Sequence, residues 1–143
     1  MALLNWNRKK YSVGDATIDA QHASFIRLLN RFHAAMLRGS GSSVTGSLLR
    51  QLIAAVREHF STEEEMMTSS KYPGLAHHRA EHQRAAASLI ELNDRYERGE
   101  SHVSISVLRR VRDWLSAHML DEDGKLGRWL KEHPQVEPPG PPC

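Results

Sequence analysis

Apolar residues recur along most of this chain at intervals of three and four, the spacing of helices that bury one face. The pattern predicts four long helices over about residues 19–38, 44–69, 75–98 and 103–120, and a short terminal helix over 125–131. Few segments alternate between apolar and polar residues with a period of two, so we expect no sheet. The predicted architecture is all-α: an up-down-up-down four-helix bundle with an N-terminal arm and a short C-terminal helix.

Short breaker segments separate these predicted helices. A Gly/Ser run at 39–43 ends the first helix, and the Lys-Tyr-Pro-Gly turn at 71–74 ends the second because proline cannot continue a helix. Gly99 suits the end of the third helix, and we expect the Asp-Glu-Asp-Gly segment at 121–124 to break the fourth. Asp19 is the residue that we expect at the start of the first helix.

Length and composition are those of one ordinary globular domain, with 143 residues of which 25% are charged. We expect residues 1–132 to form this domain and the polar, proline-rich residues 133–143 to form a flexible tail. The formal charge of +2 is too weak a field to indicate nucleic-acid binding. A single cysteine, Cys143, excludes an intrachain disulfide and a Cys-rich metal site. With no signal peptide and no apolar run of membrane-spanning length, we expect a cytoplasmic protein without a membrane partner.

Histidine is the unusual component, with nine residues, several of which fall on faces that are otherwise apolar. Two pairs of potential ligands stand four residues apart on the second and third helices, so each pair shares one helix face. Two further histidines lie on the inward faces of the first and fourth helices, and an aspartate follows the fourth. The candidate metal ligands are His22, His59, Glu63, His78, His82, His118 and Asp123.

The number and type of these ligands indicate two metal ions rather than one. A buried carboxylate without a partner is very costly, and five imidazoles with two carboxylates are too many for one tetrahedral zinc. They suit two ions bridged by Glu63 and Asp123, one ion closed by three histidines and the other left with two histidines and an open position. A single open position among apolar walls suits a small diatomic ligand. Imidazole and carboxylate ligands favour iron, although ligand type alone leaves zinc, copper and manganese open.

Four segments of the sequence carry a family resemblance: IDAQH (18–22), HFSTEE (59–64), YPGLAHHRAEH (72–82) and HMLDED (118–123). In this order and spacing, over about residues 6–130, they resemble the hemerythrin family, and specifically the bacterial single-domain hemerythrins. Each segment alone is a weak signal, but the combined pattern is highly specific.

The resemblance implies two iron ions with an oxo or hydroxo bridge, which bind dioxygen reversibly. By position it assigns the ligands as follows: His78, His82 and His118 on the closed iron, His22 and His59 on the open iron, and Glu63 and Asp123 as bridges. It also implies an apolar oxygen pocket, lined by Phe25, Phe60, Leu115 and Met119.

Other readings of the histidines and of the function are less well supported. His77 and Glu81 also stand four residues apart, but the apolar residues fit the register of His78 better, so we expect no ligand at His77. The chain contains neither the Glu-x-x-His of ferritin-like oxidases nor the His-Glu-x-x-His of zinc hydrolases. No side chain is placed as a nucleophile or general base, so we expect a non-enzymatic protein for oxygen storage, delivery or sensing, as a monomer. The alternative left open is a di-iron redox or nitric oxide sensor that acts through a separate protein partner.

Overall fold

A computed structural model describes residues 4–39, 42–99 and 105–134. Within these ranges all regular structure is α-helical: α1 (Arg8–Tyr11), α2 (Ala16–Leu37), α3 (Ser42–Ser69), α4 (Leu75–Glu97), α5 (Ile105–Leu120) and α6 (Glu122–Glu132). Helices α2 to α5 form the predicted bundle, preceded by the arm that contains α1 and followed by α6. The predicted fold class is therefore confirmed.

The interior of the bundle contains two apolar clusters with a polar layer between them. The large cluster fills most of the bundle, and the small cluster consists of Ile18, Met67 and Leu126. On α2, His22 stands one turn after Ile18 and one turn before Ile26, and on α3 Glu63 stands one turn before Met67. Apolar clusters therefore lie on both sides of the inward-facing polar residues, along the axis of the bundle.

The start of α2 differs from the prediction by three residues. Asp15, not Asp19, caps this helix, because its side chain accepts a hydrogen bond from the backbone N–H of Ile18 at 2.9 Å. The carboxylate of Asp19 instead accepts hydrogen bonds from the Ser12 hydroxyl at 2.5 Å and the Val13 N–H at 2.9 Å. It therefore ties the N-terminal arm to the bundle rather than starting a helix.

The end of the chain also differs from the prediction, with a consequence for the site. Only Asp121 interrupts the helical path after α5, and α6 begins at Glu122 rather than at Lys125. Asp123 is therefore held in the first turn of a helix and not in a loop. A Cβ atom at Gly127 of α6 would collide with the backbone carbonyl oxygen of Val13, so the arm packs against this helix as closely as glycine permits.

The predicted irregular arm contains the one-turn helix α1, which ends at Tyr11. This tyrosine is buried, and its hydroxyl lies 3.0 Å from the Ser116 hydroxyl of α5, so the arm is anchored on the bundle. The proline-rich segment predicted at 133–143 lies, from residue 135 onward, outside the described residues. None of the described helices is both long and apolar enough to cross a membrane.

Candidate metal centre

Five helices contribute one polar side chain or more to the layer between the two apolar clusters. Helix α2 supplies one histidine, α3 a histidine and a glutamate, α4 two histidines, α5 one histidine, and α6 an aspartate. These side chains are at most 4% exposed, and they are His22, His59, Glu63, His78, His82, His118 and Asp123. The structure thus brings together all seven residues that the sequence singled out.

The seven residues divide into two groups that share their carboxylates. Within each group, one nitrogen or oxygen atom from every member lies within 4.8 Å of the others. The five-residue group is Glu63, His78, His82, His118 and Asp123, and the four-residue group is His22, His59, Glu63 and Asp123. This arrangement has three imidazoles on one side and two on the other, with Glu63 and Asp123 common to both.

The carboxylate of Asp123 divides its two oxygens between the groups. Oδ1 lies 3.1 Å from Nε2 of His78 and 3.0 Å from Nε2 of His118. Oδ2 lies 2.8 Å from Nε2 of His22 and 3.7 Å from Nε2 of His59. A carboxylate in this position can bind one cation with each oxygen.

Glu63 faces both groups through one oxygen. Its Oε1 lies 3.1 Å from Nε2 of His59, 3.5 Å from Nε2 of His78 and 3.1 Å from Nε2 of His82. Glu63 is on the same face of α3 as His59, one turn further along, which is the geometry that a four-residue spacing gives. The two carboxylates therefore lie between the two sets of imidazoles.

Many polar atoms in this buried layer make no hydrogen bond, and such atoms are free to bind metal ions. Although several of them lie close together, the following atoms are not in hydrogen-bond geometry: Nε2 of His78, His82 and His118, both oxygens of Glu63 and Oδ1 of Asp123. Buried polar atoms without hydrogen bonds are rare in folded proteins because each one carries a desolvation penalty. Here their lone pairs converge, and imidazole nitrogen with carboxylate oxygen is a donor set for iron and similar transition metals. The residues fit a pair of cations.

The electrostatics of the layer favour ionised carboxylates. Burial opposes the charge on Glu63, as does Asp123, but the imidazoles around it lower the pKa of Glu63 to about 2. Burial likewise disfavours the charge on Asp123, yet its surrounding imidazoles hold its pKa well below the usual range. Burial also opposes protonation of His59 and His78, but the two carboxylates raise both pKa values to about 9. Burial lowers the pKa of His82. The raised pKa values of His59 and His78 favour protons on these imidazoles beside the carboxylates when no metal is bound, and a cation would replace those protons.

Aromatic rings pack directly against the imidazoles. Phe60 stacks on His82 with ring centroids 3.9 Å apart and planes 9° apart. The ring of Phe25 lies 5.3 Å from that of His22 and 5.4 Å from that of His59. The expected pocket residues are all buried in the large apolar cluster: Phe25, Phe60, Leu115 and Met119. Their role around an oxygen ligand stays a prediction.

The structure adds three side chains that the sequence did not indicate for the site. Trp114 stacks on His118, with centroids 4.8 Å apart and planes 14° apart. Glu81 Oε2 lies 3.5 Å from Nδ1 of His118. Gln21 contacts Nδ1 of His59 at 2.9 Å. Gln21 adjoins His22 in sequence, but its contact with His59 spans 38 positions, so no local spacing predicts this contact.

His77 belongs to neither group, as expected. Its side chain is 64% exposed and lies near the carboxylates of Glu81 at 3.8 Å and Glu122 at 3.5 Å. Of the other histidines, His33 and His133 also lie outside both groups, and His102 lies outside the described residues.

Similarity to known proteins extends over most of the chain. Residues 13–130 match the model of the hemerythrin HHE cation binding domain. The chain is 32% identical to a bacteriohemerythrin of Methylococcus capsulatus over 91% of its own length and 98% of that protein. It is 29% identical to a bacteriohemerythrin of Stenotrophomonas maltophilia over 93% of its own length and 85% of that protein. Among solved structures, wild-type hemerythrin superposes with a TM-score of 0.86 at 31% identity, covering 90% of this chain and 98% of that one.

Proposed function

The chain belongs to the hemerythrin family, and on that premise we propose that it binds dioxygen reversibly at a di-iron centre, for storage, delivery or sensing of oxygen. Hemerythrins bind oxygen at a non-haem di-iron site and are oxygen-binding proteins rather than enzymes. The predicted cofactor, a pair of iron ions, is therefore confirmed as that of the family to which the chain belongs. For this particular chain, we propose both that it binds oxygen and which residues do so.

One observation supports this function most directly: the two buried groups share both of their carboxylates. Two separate mononuclear sites would have no ligand in common, whereas carboxylates common to both groups are placed to serve two ions held close together. The position of Asp123, with Oδ1 toward one set of imidazoles and Oδ2 toward the other, is that of a bridge.

The groups also support an unequal assignment of ligands. In our proposal three imidazoles would hold one iron and two would hold the other, with both carboxylates available to both ions. The ligands are His78, His82 and His118 for the first iron, His22 and His59 for the second, and Glu63 and Asp123 for both. The second iron would have one protein ligand fewer, so a small molecule could bind there.

When bound, the iron pair supplies the electrons for reversible oxygen binding, and the polypeptide supplies the surroundings. The nearest apolar ring to the two-histidine side is that of Phe25, which contacts both His22 and His59. We propose that Phe25, Phe60, Leu115 and Met119 line the oxygen pocket and exclude water and protons, which slows irreversible oxidation. Every carboxylate in the buried layer is committed to the cations, so none is left as a general base, in keeping with a carrier rather than an enzyme.

The proposal also covers which parts of the chain are needed for oxygen binding. We propose that residues 1–132 act as the oxygen-binding domain, that residues 133–143 take no part in oxygen binding, and that the protein acts as a monomer in the cytoplasm. A variant truncated after residue 132 should keep the metal content and oxygen affinity of the full chain.

The test is the visible absorption spectrum of the iron-loaded protein. The reduced protein should be colourless without oxygen, develop a visible band on exposure to oxygen, and lose that band when oxygen is removed under argon, through repeated cycles. A protein that oxidises once, without a band that argon reverses, would contradict the carrier function. That outcome would favour the alternative, a redox or nitric oxide sensor that acts through a separate partner.

A further inference from the structure

The five imidazoles of the metal centre differ in the surroundings of their outer ring nitrogen. In the part of the chain that the structure describes, Nδ1 makes no hydrogen bond in the following four: His22, His78, His82 and His118. Oε2 of Glu81 lies 3.5 Å from Nδ1 of His118 without making a hydrogen bond, whereas Nδ1 of His59 has a hydrogen-bond partner, the side-chain oxygen of Gln21 at 2.9 Å. The histidine with this hydrogen bond belongs to the group that has two histidines rather than three.

The contact is one link of a chain of hydrogen bonds whose direction is fixed at its far end. The Thr62 hydroxyl donates to the backbone carbonyl of Glu58 at 3.0 Å, which uses its only proton. The Thr62 oxygen must then accept, and Nε2 of Gln21 lies 3.0 Å from it. The amide of Gln21 therefore turns its NH₂ toward Thr62 and its oxygen toward His59.

This direction determines the state of the His59 ring. An amide oxygen only accepts hydrogen bonds, so Nδ1 of His59 must carry a proton. In the neutral ring Nε2 is then the atom with the free lone pair. That atom lies 3.1 Å from Oε1 of Glu63 and 3.0 Å from Nε2 of His22, inside the four-residue group.

We propose that Gln21 is a positioning residue for His59: it holds the ring in the Nδ1–H tautomer, with the Nε2 lone pair turned toward the second cation. The inference rests on the proposed function, since it assigns this cation to His22 and His59. Partners of the outer nitrogen of a metal-bound histidine fix its tautomer and ring orientation, and their loss typically lowers metal affinity about 10- to 100-fold.

The amide suits this place better than a charged group. Two carboxylates already lie inside the layer, and a neutral partner adds no third negative charge beside them. An amide also cannot take the Nδ1 proton, so the ring stays a neutral ligand. The link to Thr62 of α3 keeps the amide from flipping, since the flipped form would place NH₂ against Nδ1–H.

Metal titration of matched variants tests the proposal, with Zn²⁺ alone as the probe so that oxygen chemistry plays no part. Gln21→Leu should lower the affinity for the weaker of two zinc equivalents about 10- to 100-fold and leave the stronger one unchanged. Gln21→Glu retains an acceptor for Nδ1–H but adds a charge and loses the N–H that donates to Thr62, so it should lose less affinity than Gln21→Leu without matching the wild type. Thr62→Val should also give an intermediate loss. Gln51→Leu is the control, since Gln51 is exposed and, among the described residues, donates its hydrogen bond to Ser47 on its own helix.

Nitrogen NMR of the metal-free wild-type protein gives an independent readout, and it does not require that any variant fold. Nδ1 of His59 should carry a proton at every pH at which the protein is folded. A neutral His59 ring with its proton on Nε2, or equal losses at both zinc equivalents in Gln21→Leu, would overturn the proposal. Unchanged zinc affinities in Gln21→Leu would overturn it as well. If wild-type protein binds fewer than two zinc ions, the proposed di-iron function fails, while the NMR result still decides the role of Gln21.

Discussion

Oδ2 of Asp123 lies 2.8 Å from Nε2 of His22, although 101 positions separate the two residues in the chain. This contact joins α6 to α2, and the other oxygen of the same carboxylate faces the imidazole of His118 at 3.0 Å. Because one side chain connects the two sets of imidazoles, its removal should affect both cations at once.

Asp123→Asn therefore tests the bridging role. The amide keeps the size of the side chain but has only one oxygen and no charge, so it cannot serve two cations. We expect both metal equivalents to weaken, and fewer than two irons per chain by elemental analysis after gel filtration. Asp121→Asn is the control, since Asp121 is exposed two residues away. Full iron content in Asp123→Asn would show that this carboxylate does not bridge.

Phe25 should control how long the oxygenated protein survives. Its ring is 1% exposed and contacts both imidazoles on the two-histidine side. Phe25→Gln places an amide at this wall and admits water and protons, so we expect the oxygenated state to decay about tenfold faster or more. Phe25→Leu removes volume but keeps the wall apolar, and it should decay more slowly than Phe25→Gln. Decay is followed as loss of the visible band in air, and equal rates in the two variants would contradict the proposed wall.

The metal-free protein should lose stability as the pH rises above neutrality. His59 and His78 have folded-state pKa values of about 9, raised from 6.5. Between these limits the folded state binds more protons than the unfolded state, so the free energy of unfolding falls as pH increases. The contribution is complete below pH 6.5 and is lost above about 9.

Urea denaturation at several pH values measures this effect, and zinc provides the matched comparison. In the zinc-loaded protein the cations replace the two protons, so the fall in stability over this pH range should disappear. The same fall with and without zinc would mean that these histidines are not metal ligands.

Two glycines of α6 give a test of how the arm packs on the helix that carries Asp123. Gly127→Ala should destabilise the protein by roughly 1–3 kcal/mol, because its Cβ meets the Val13 carbonyl, and overpacking costs this much. Gly124→Ala has its nearest neighbour at 3.8 Å, so it should be neutral or raise stability by up to about 1 kcal/mol through helix propensity. Thermal melts of the two variants compare them directly. Equal effects would show that α6 and the arm are not closely packed.

The sequence predicted the bundle and the cluster of seven residues because both follow from periodicity on long helices. Four-residue spacing alone places Glu63 beside His59 on one face, whatever the rest of the chain does. The predictions of the helix ends were less accurate. Asp15 and Asp19 both suit a helix cap, and only the contact of Asp19 with the arm decides between them. In the same way, α6 begins at Glu122 rather than at Lys125, and the long-range contacts of Asp123 with His22 and His118 hold its first turn in place.

Residues that act through tertiary contact could not be predicted. Gln21 reaches His59 across two helices, and Trp114 stacks on His118 although its position reads as ordinary core packing. Such contacts depend on how helices rotate against each other, which a single sequence does not state. They surround the ligands, whereas the ligands themselves stand out because histidine and carboxylate are rare in an apolar core.

The central claim is that this polypeptide holds two irons between shared carboxylates. Anomalous diffraction at the iron absorption edge, from crystals of the iron-loaded protein, tests it most directly. We predict two iron peaks per chain, one bound by His78, His82 and His118, the other by His22 and His59, and both by Glu63 and Asp123. A single peak, or two peaks that share neither carboxylate, would contradict the account.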